Sequence, residues 1–189
     1  MTKLAIFDLD GTLLNTVEDL GNATNYALEQ CGFPIHPKDE YYQMVGRGIY
    51  NLFRAAIPSE YATEDNVQRM ASYFIPYYDT HKCDCTRPYD GIPEMLKTIT
   101  DRGVRLAVAS NKYQDGAEKL VSHFFGEYDF VRILGQHQAR PGHCGSDPRR
   151  GSVRHQVRDR LCGRLQCGHA DRPERRGQDC GCELGFQNP

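Results

Sequence analysis

One stretch near the N-terminus, KLAIFDLDGTLLNT, constrains the fold more than any other. A short apolar run ends in two acids, Asp8 and Asp10, followed by Gly11. That pattern reads as a buried strand running into a turn. A second run of the same kind, VRLAVASNK, carries Ser110 and Asn111 near its end, and a third is FVRILG. Between the first two lie segments with helical spacing. Residues 16–31 place Val17, Leu20, Ala23, Ala27 and Leu28 on one stripe, with Gly32 as the stop signal. Further helical stretches are predicted around residues 40–45, 49–57 and 64–78, then over 93–102 with Gly103 as the stop, and over 117–125. Strand, helical insertion, helix, strand, helix, strand predicts an α/β fold: a Rossmann-like parallel sheet core with an inserted helical cap. The expected division is a core of residues 1–14 with 83–136, a cap of 15–82, and a separate tail of 137–189.

In an open parallel sheet, ligands bind beyond the carboxyl ends of the strands. Asp8, Asp10 and Ser110 all fall at such ends. A strand-end carboxylate can act as a nucleophile, and aspartyl-phosphate formation is one such use. Phosphoryl transfer also needs charge neutralisation, donors around the phosphate oxygens, and a proton donor for the leaving group. The chain turn at Gly11 is expected to swing Asp10 toward the site. Magnesium takes oxygen ligands, one or two carboxylates with phosphate and water completing the shell. Thr12 and Ser110 supply hydroxyls, and backbone N–H groups of the turn can bind phosphate. The bland alternatives are a solvated strand-end turn for the two acids and an ordinary strand-end cap for Ser110.

FDLDGTLLNT resembles motif I of the haloacid dehalogenase superfamily of aspartate-nucleophile phosphatases, and VRLAVASNK resembles motif II. The helical block between them is similar to that family's cap, with phosphoglycolate phosphatase-like members nearest in pattern. The resemblance implies Asp8 as nucleophile and Mg2+ ligand, and Asp10 as general acid/base that also gives the metal its backbone carbonyl. It implies Gly11, Thr12, Ser110 and Asn111 around the phosphoryl group. The cap segment VGRG puts Arg47 where such enzymes meet the far end of the substrate; the alternative is a solvated helix-end charge. The substrate implied is a small phosphorylated metabolite. The family also uses a lysine in a KPDP-like motif III and acids in a GDSxxD-like motif IV, and this sequence has neither, its last lysine being Lys119. Lys112 is expected to be a surface lysine, with substitution for the missing one as the alternative.

Composition divides the chain near residue 136. Up to Gln136 there are 13 Lys and Arg against 19 Asp and Glu; beyond it there are 10 Arg, no Lys and 6 acids. Five of the 8 cysteines fall in that tail, which lacks any sustained hydrophobic period. Shifted by one base, HQARPGHCG can be read as TKPDPAIVE and LCGRLQCGHA as YVGDSNVDMQ, which restores motifs III and IV in order. The tail is therefore read as a frame-shifted C-terminal third, with the C-terminal core strands missing or disordered and the literal chain impaired. The competing reading is an inactive remnant, or a zinc- or nucleic-acid-binding module built on Cys162, Cys167, His169, Cys180 and Cys182, whose spacing departs from paired CxxC. A net charge of -2 gives no case for nucleic acid or membrane as partner, and no apolar run is long enough to span a bilayer. The first residues lack a secretion signal's pattern, so a cytoplasmic location is expected. The sequence leaves the oligomeric state open.

Overall fold

The computed structural model describes residues 3–136. The expectations of a frame-shifted tail, of missing core strands and of a cysteine-based site all concern residues beyond 136 and lie outside the described residues. Strand β1 (Lys3–Phe7) leads through the turn at Gly11 to a two-residue strand β2 (Leu14–Asn15). Helices α1 (Val17–Cys31), α2 (Tyr41–Met44), α3 (Ile49–Ala56) and α4 (Glu64–His81) follow. The chain returns through β3 (Arg87–Pro88) to α5 (Ile92–Asp101), β4 (Val104–Tyr113), α6 (Gln114–Phe125) and β5 (Phe130–Gln136).

The main sheet has the order β1-β4-β5 and is parallel throughout, with Lys3 opposite Val104 and Phe7 opposite Val108. This is the α/β parallel-sheet architecture that the alternation of strand and helix predicts. Sheet and helices enclose a core of Leu9, Leu13, Leu106, Val108, Leu120 and Phe125. A second core lies among α1, α3 and α4, where Phe53, Phe74 and Tyr78 are fully buried; Phe53 meets Phe74 edge-on at 5.0 Å and Phe74 stacks on Tyr78 at 5.2 Å. Helix α1 ends as its sequence signals: Gly32 takes φ +76°, a left-handed value that costs glycine little, and the Phe33 amide bonds the Leu28 carbonyl. Helix α4 starts at Thr63, whose hydroxyl accepts from the Asn66 amide. It runs one turn past the expected stop, where the Tyr77 and His81 rings meet at a tilt, 4.3 Å between centroids.

The two crossings between sheet and helical block pair with each other, Leu14 opposite Pro88 and Asn15 opposite Arg87. Asp19, 2% exposed in the first turn of α1, fastens the returning strand there. Its carboxylate accepts from the amides of Cys85 and Thr86 and from the Thr86 hydroxyl, at 2.7–3.1 Å. A buried carboxylate needs such donors. Strand β4 covers the whole of the VRLAVASNK run and adds Tyr113. Its continuation past Ser110 decides the composition of the site.

Candidate active site

Beyond the carboxyl ends of β1 and β4, under the helical block, lies a cavity. Asp8 and Asp10 line it from the turn after β1, and Ser110, Asn111 and Lys112 line it from the end of β4. Leu20, Val45, Ile49 and Leu52, with the backbone at Gly46 and Gly48, form the opposite wall. The turn at Gly11, which adopts φ +77°, keeps Asp10 on the same cavity as Asp8. Its bonds run from the Gly11 amide to the Leu14 carbonyl and from the Leu13 and Leu14 amides to the Leu9 carbonyl.

Asp8 Oδ1 accepts the Leu9 amide at 2.7 Å. Burial by the surrounding protein pushes the Asp8 carboxyl above the usual aspartate range, and nearby Asp10 adds to this. The Leu9 amide, the Ser110 hydroxyl and the Lys112 ammonium pull it back down. The side chain still meets solvent on the cavity side, as an attacking group must.

Asp10 is held more tightly. Thr16 Oγ1 donates to its Oδ1 at 2.8 Å, and Lys112 Nζ donates to Oδ1 and Oδ2 at 3.1 and 3.3 Å. Lys112 also donates to the Tyr78 phenol oxygen at 2.9 Å. The expectation of a surface lysine is thereby corrected: Lys112 is 3% exposed and sits at the centre of the site. The reason is the extended strand. Alternate residues of a strand share a face, so Ser110 and Lys112 both turn inward. Counting in twos from Ser110 would have found the lysine; its charge argued for the surface.

Other expected site residues are placed unevenly. Asn111 lines the cavity, and its Nδ2 donates to the Gly46 carbonyl at 2.9 Å, joining β4 to the helical block. Gly11, Thr12 and Arg47 are not among the lining residues, and Thr12 and Arg47 are exposed. A second group missed in the sequence is Asp79 on α4. It accepts from the Tyr113 hydroxyl at 2.9 Å and pairs with Lys82 at 3.1 Å and Lys119 at 3.7 Å. Nothing in its local sequence distinguishes it from a solvated helix acid.

For a divalent cation, the described residues offer a partial set. The Asp8 carboxylate and the Asp10 backbone carbonyl are hard oxygen donors of the kind magnesium takes. No cluster of three or more His, Cys, Asp or Glu suited to a metal occurs among the described residues. The donor chemistry fits a magnesium ion completed by phosphate and water.

Residues 5–142 match the pattern of the haloacid dehalogenase-like hydrolases. The chain belongs to that family. Among curated members, a phosphoglycolate phosphatase of Haemophilus influenzae is 31% identical over 139 residues, covering 70% of this chain and 62% of that protein. The chain thus spans about three-fifths of the length of the curated relatives it matches first. The crystal structure of a predicted phosphoglycolate phosphatase from Haemophilus somnus superposes with TM-score 0.66 at 25% identity, covering 85% of this chain and 72% of that one. Protein Tyrosine Kinase A of Mycobacterium tuberculosis superposes with TM-score 0.69 at 26% identity, covering 85% and 69%. The haloacid dehalogenase-like fold thus carries differently named activities among this chain's relatives. Among the described residues, no helix is long and apolar enough to cross a membrane.

Proposed function

We propose that this chain is a phosphomonoester phosphatase working through an aspartyl-phosphate on Asp8. The observation that carries the reading is the convergence of Asp8, Asp10 and Ser110 on one cavity at the ends of adjacent parallel strands. Asp8 attacks phosphorus and the bond to the leaving oxygen breaks. Asp10, lining the same cavity, gives that oxygen its proton. In the second step Asp10 takes a proton from water as the water displaces phosphate from Asp8. The Ser110 hydroxyl and backbone N–H groups at the turn hold phosphoryl oxygens. Asp8 and the Asp10 carbonyl would hold Mg2+, which when bound supplies positive charge against the phosphate.

Residues 1–14 with 83–136 act as the core and 15–82 as the cap that excludes water. The cap wall of Leu20, Val45, Ile49 and Leu52 suits a compact leaving group. A small phosphorylated metabolite is therefore the substrate class, and phosphoglycolate heads the list because curated relatives carry that name. The lysine and acids of motifs III and IV are absent from this sequence, so turnover by the chain as written is expected to be well below that of an intact relative.

The test is phosphate release from a panel of small phosphate esters, with Mg2+ and with a chelator. Magnesium-dependent release, lowered at least about a thousandfold by Asp8→Asn, is the expected result. Release that Asp8→Asn leaves unchanged removes Asp8 as nucleophile.

A further inference from the structure

Lys112 is the one cationic side chain among the described residues that line the cavity. Lysine is almost never fully buried unless paired, because its ammonium is strongly hydrated in water. Here all three of its N–H donors have acceptors: both oxygens of Asp10, and Tyr78. Tyr78 does not line the cavity, and it comes from α4, on the cap side. It is fully buried, with its ring stacked on Phe74 at 5.2 Å and its centroid 4.8 Å from Lys112 Nζ. The phenol oxygen is thus fixed by the cap's own core. On the other side of Asp10, Thr16 holds Oδ1 from the crossing between β2 and α1.

We propose that Lys112 and Tyr78 are positioning residues for Asp10: the cap's phenol oxygen holds the ammonium, and the ammonium holds the carboxylate toward the cavity. This rests on the phosphatase reading, in which Asp10 moves the proton. A seated cap then completes the orientation of Asp10. A displaced cap withdraws the phenol, and Lys112 loses one of its three partners. Packing of Tyr78 alone would be served equally well by phenylalanine, whereas the positioning role needs the oxygen.

The experiment is Tyr78→Phe in the full chain, read in two ways. The first is steady-state kinetics with phosphoglycolate and Mg2+. The expected result is a kcat lower by about ten- to a hundredfold, the scale of misplacing a catalytic group by about an ångström, with KM within about twofold. The second is the 15N signal of the lysine ammonium groups. Lys112 should give a resonance protected from water exchange in the parent, absent in Lys112→Met and shifted or lost in Tyr78→Phe.

A Lys112 that exchanges like a surface lysine overturns the proposal. So does Tyr78→Phe with unchanged kcat, or with a change confined to KM. A parent chain that shows the protected resonance but releases no phosphate from any ester overturns the phosphatase reading first; the link is then packing alone, and the positioning role falls with it.

Discussion

The cap closes around its own apolar core, whereas the sheet leaves β1 with a single neighbour among the described residues. In the cap, Phe53, Phe74 and Tyr78 are sealed from solvent on all sides. On β1, Leu4 and Ile6 remain 36% and 40% exposed. Yet β1 is the strand that delivers Asp8 and Asp10. The sealed region therefore supplies stability and the wall of the cavity, and the open strand supplies the chemistry. Damage to the first should unfold the protein, and damage to the second should change its association or its turnover.

The largest effect should come from breaking the cap core. Phe74→Ala removes a fully buried ring packed between Phe53 and Tyr78. It should cost about 3–5 kcal/mol in denaturant unfolding. A cost below about 1 kcal/mol would mean that the cap core is looser than its stacking distances indicate. Next is the seam between the two regions. Asp19→Ala leaves the buried amide and hydroxyl of Thr86, and the part-buried amide of Cys85, without their acceptor. Unsatisfied buried donors cost about 1–3 kcal/mol each. The loss should appear as faster hydrogen exchange at residues 85 and 86, ahead of global unfolding.

On the open strand, Ile6→Lys should behave differently. Its side chain is already partly solvated, so stability should change by about 1 kcal/mol or less. An exposed apolar edge strand invites pairing with other chains, and a lysine there discourages it. Light scattering should therefore fall in the variant. An Ile6→Lys variant that unfolds instead would place Ile6 in a packed environment and erase the contrast with the cap.

This contrast was only partly legible in the sequence. The order of strands and helices was readable because short continuous apolar runs alternate with stretches of helical period, and because Gly11 and Gly32 mark their turns. Asp8 and Asp10 were readable because two acids directly after an apolar strand are chemically unusual. Lys112, Tyr78 and Asp79 were not. Their roles depend on contacts between residues 34 or more positions apart. Tyr78 reads as another apolar position on a helical stripe, and Lys112 as a surface charge. Only the inward turn of β4 after Ser110 gives the lysine away. Arg47, which the resemblance put at the far end of the substrate with a solvated helix-end charge as the alternative, is exposed and does not line the cavity.

The smallest effect concerns pH at the seam. Burial alone would raise the Asp79 carboxyl, but the Tyr113 hydroxyl, Lys82 and Lys119 outweigh it, and Asp79 lies below its ordinary value of 3.8. An acid with a lowered folded-state pKa stabilises the fold above its unfolded value, and that stability is lost as pH falls through the folded value. The seam should therefore weaken below about pH 4, the ordinary range for an unfolded aspartate. Asp8 has the opposite sign: its carboxyl is raised, so falling pH relieves a cost rather than removing a gain. Asp79 keeps 34% of its side-chain surface exposed, so solvent screens the pairing and the change should be only a few tenths of a kcal/mol. Denaturant midpoints of the parent and Asp79→Asn, measured between pH 7 and 3, separate the two. The parent should lose its small advantage over the variant across the acid end of that range. An advantage that persists undiminished to pH 3 would mean that Asp79 holds cap and sheet together by packing rather than by charge.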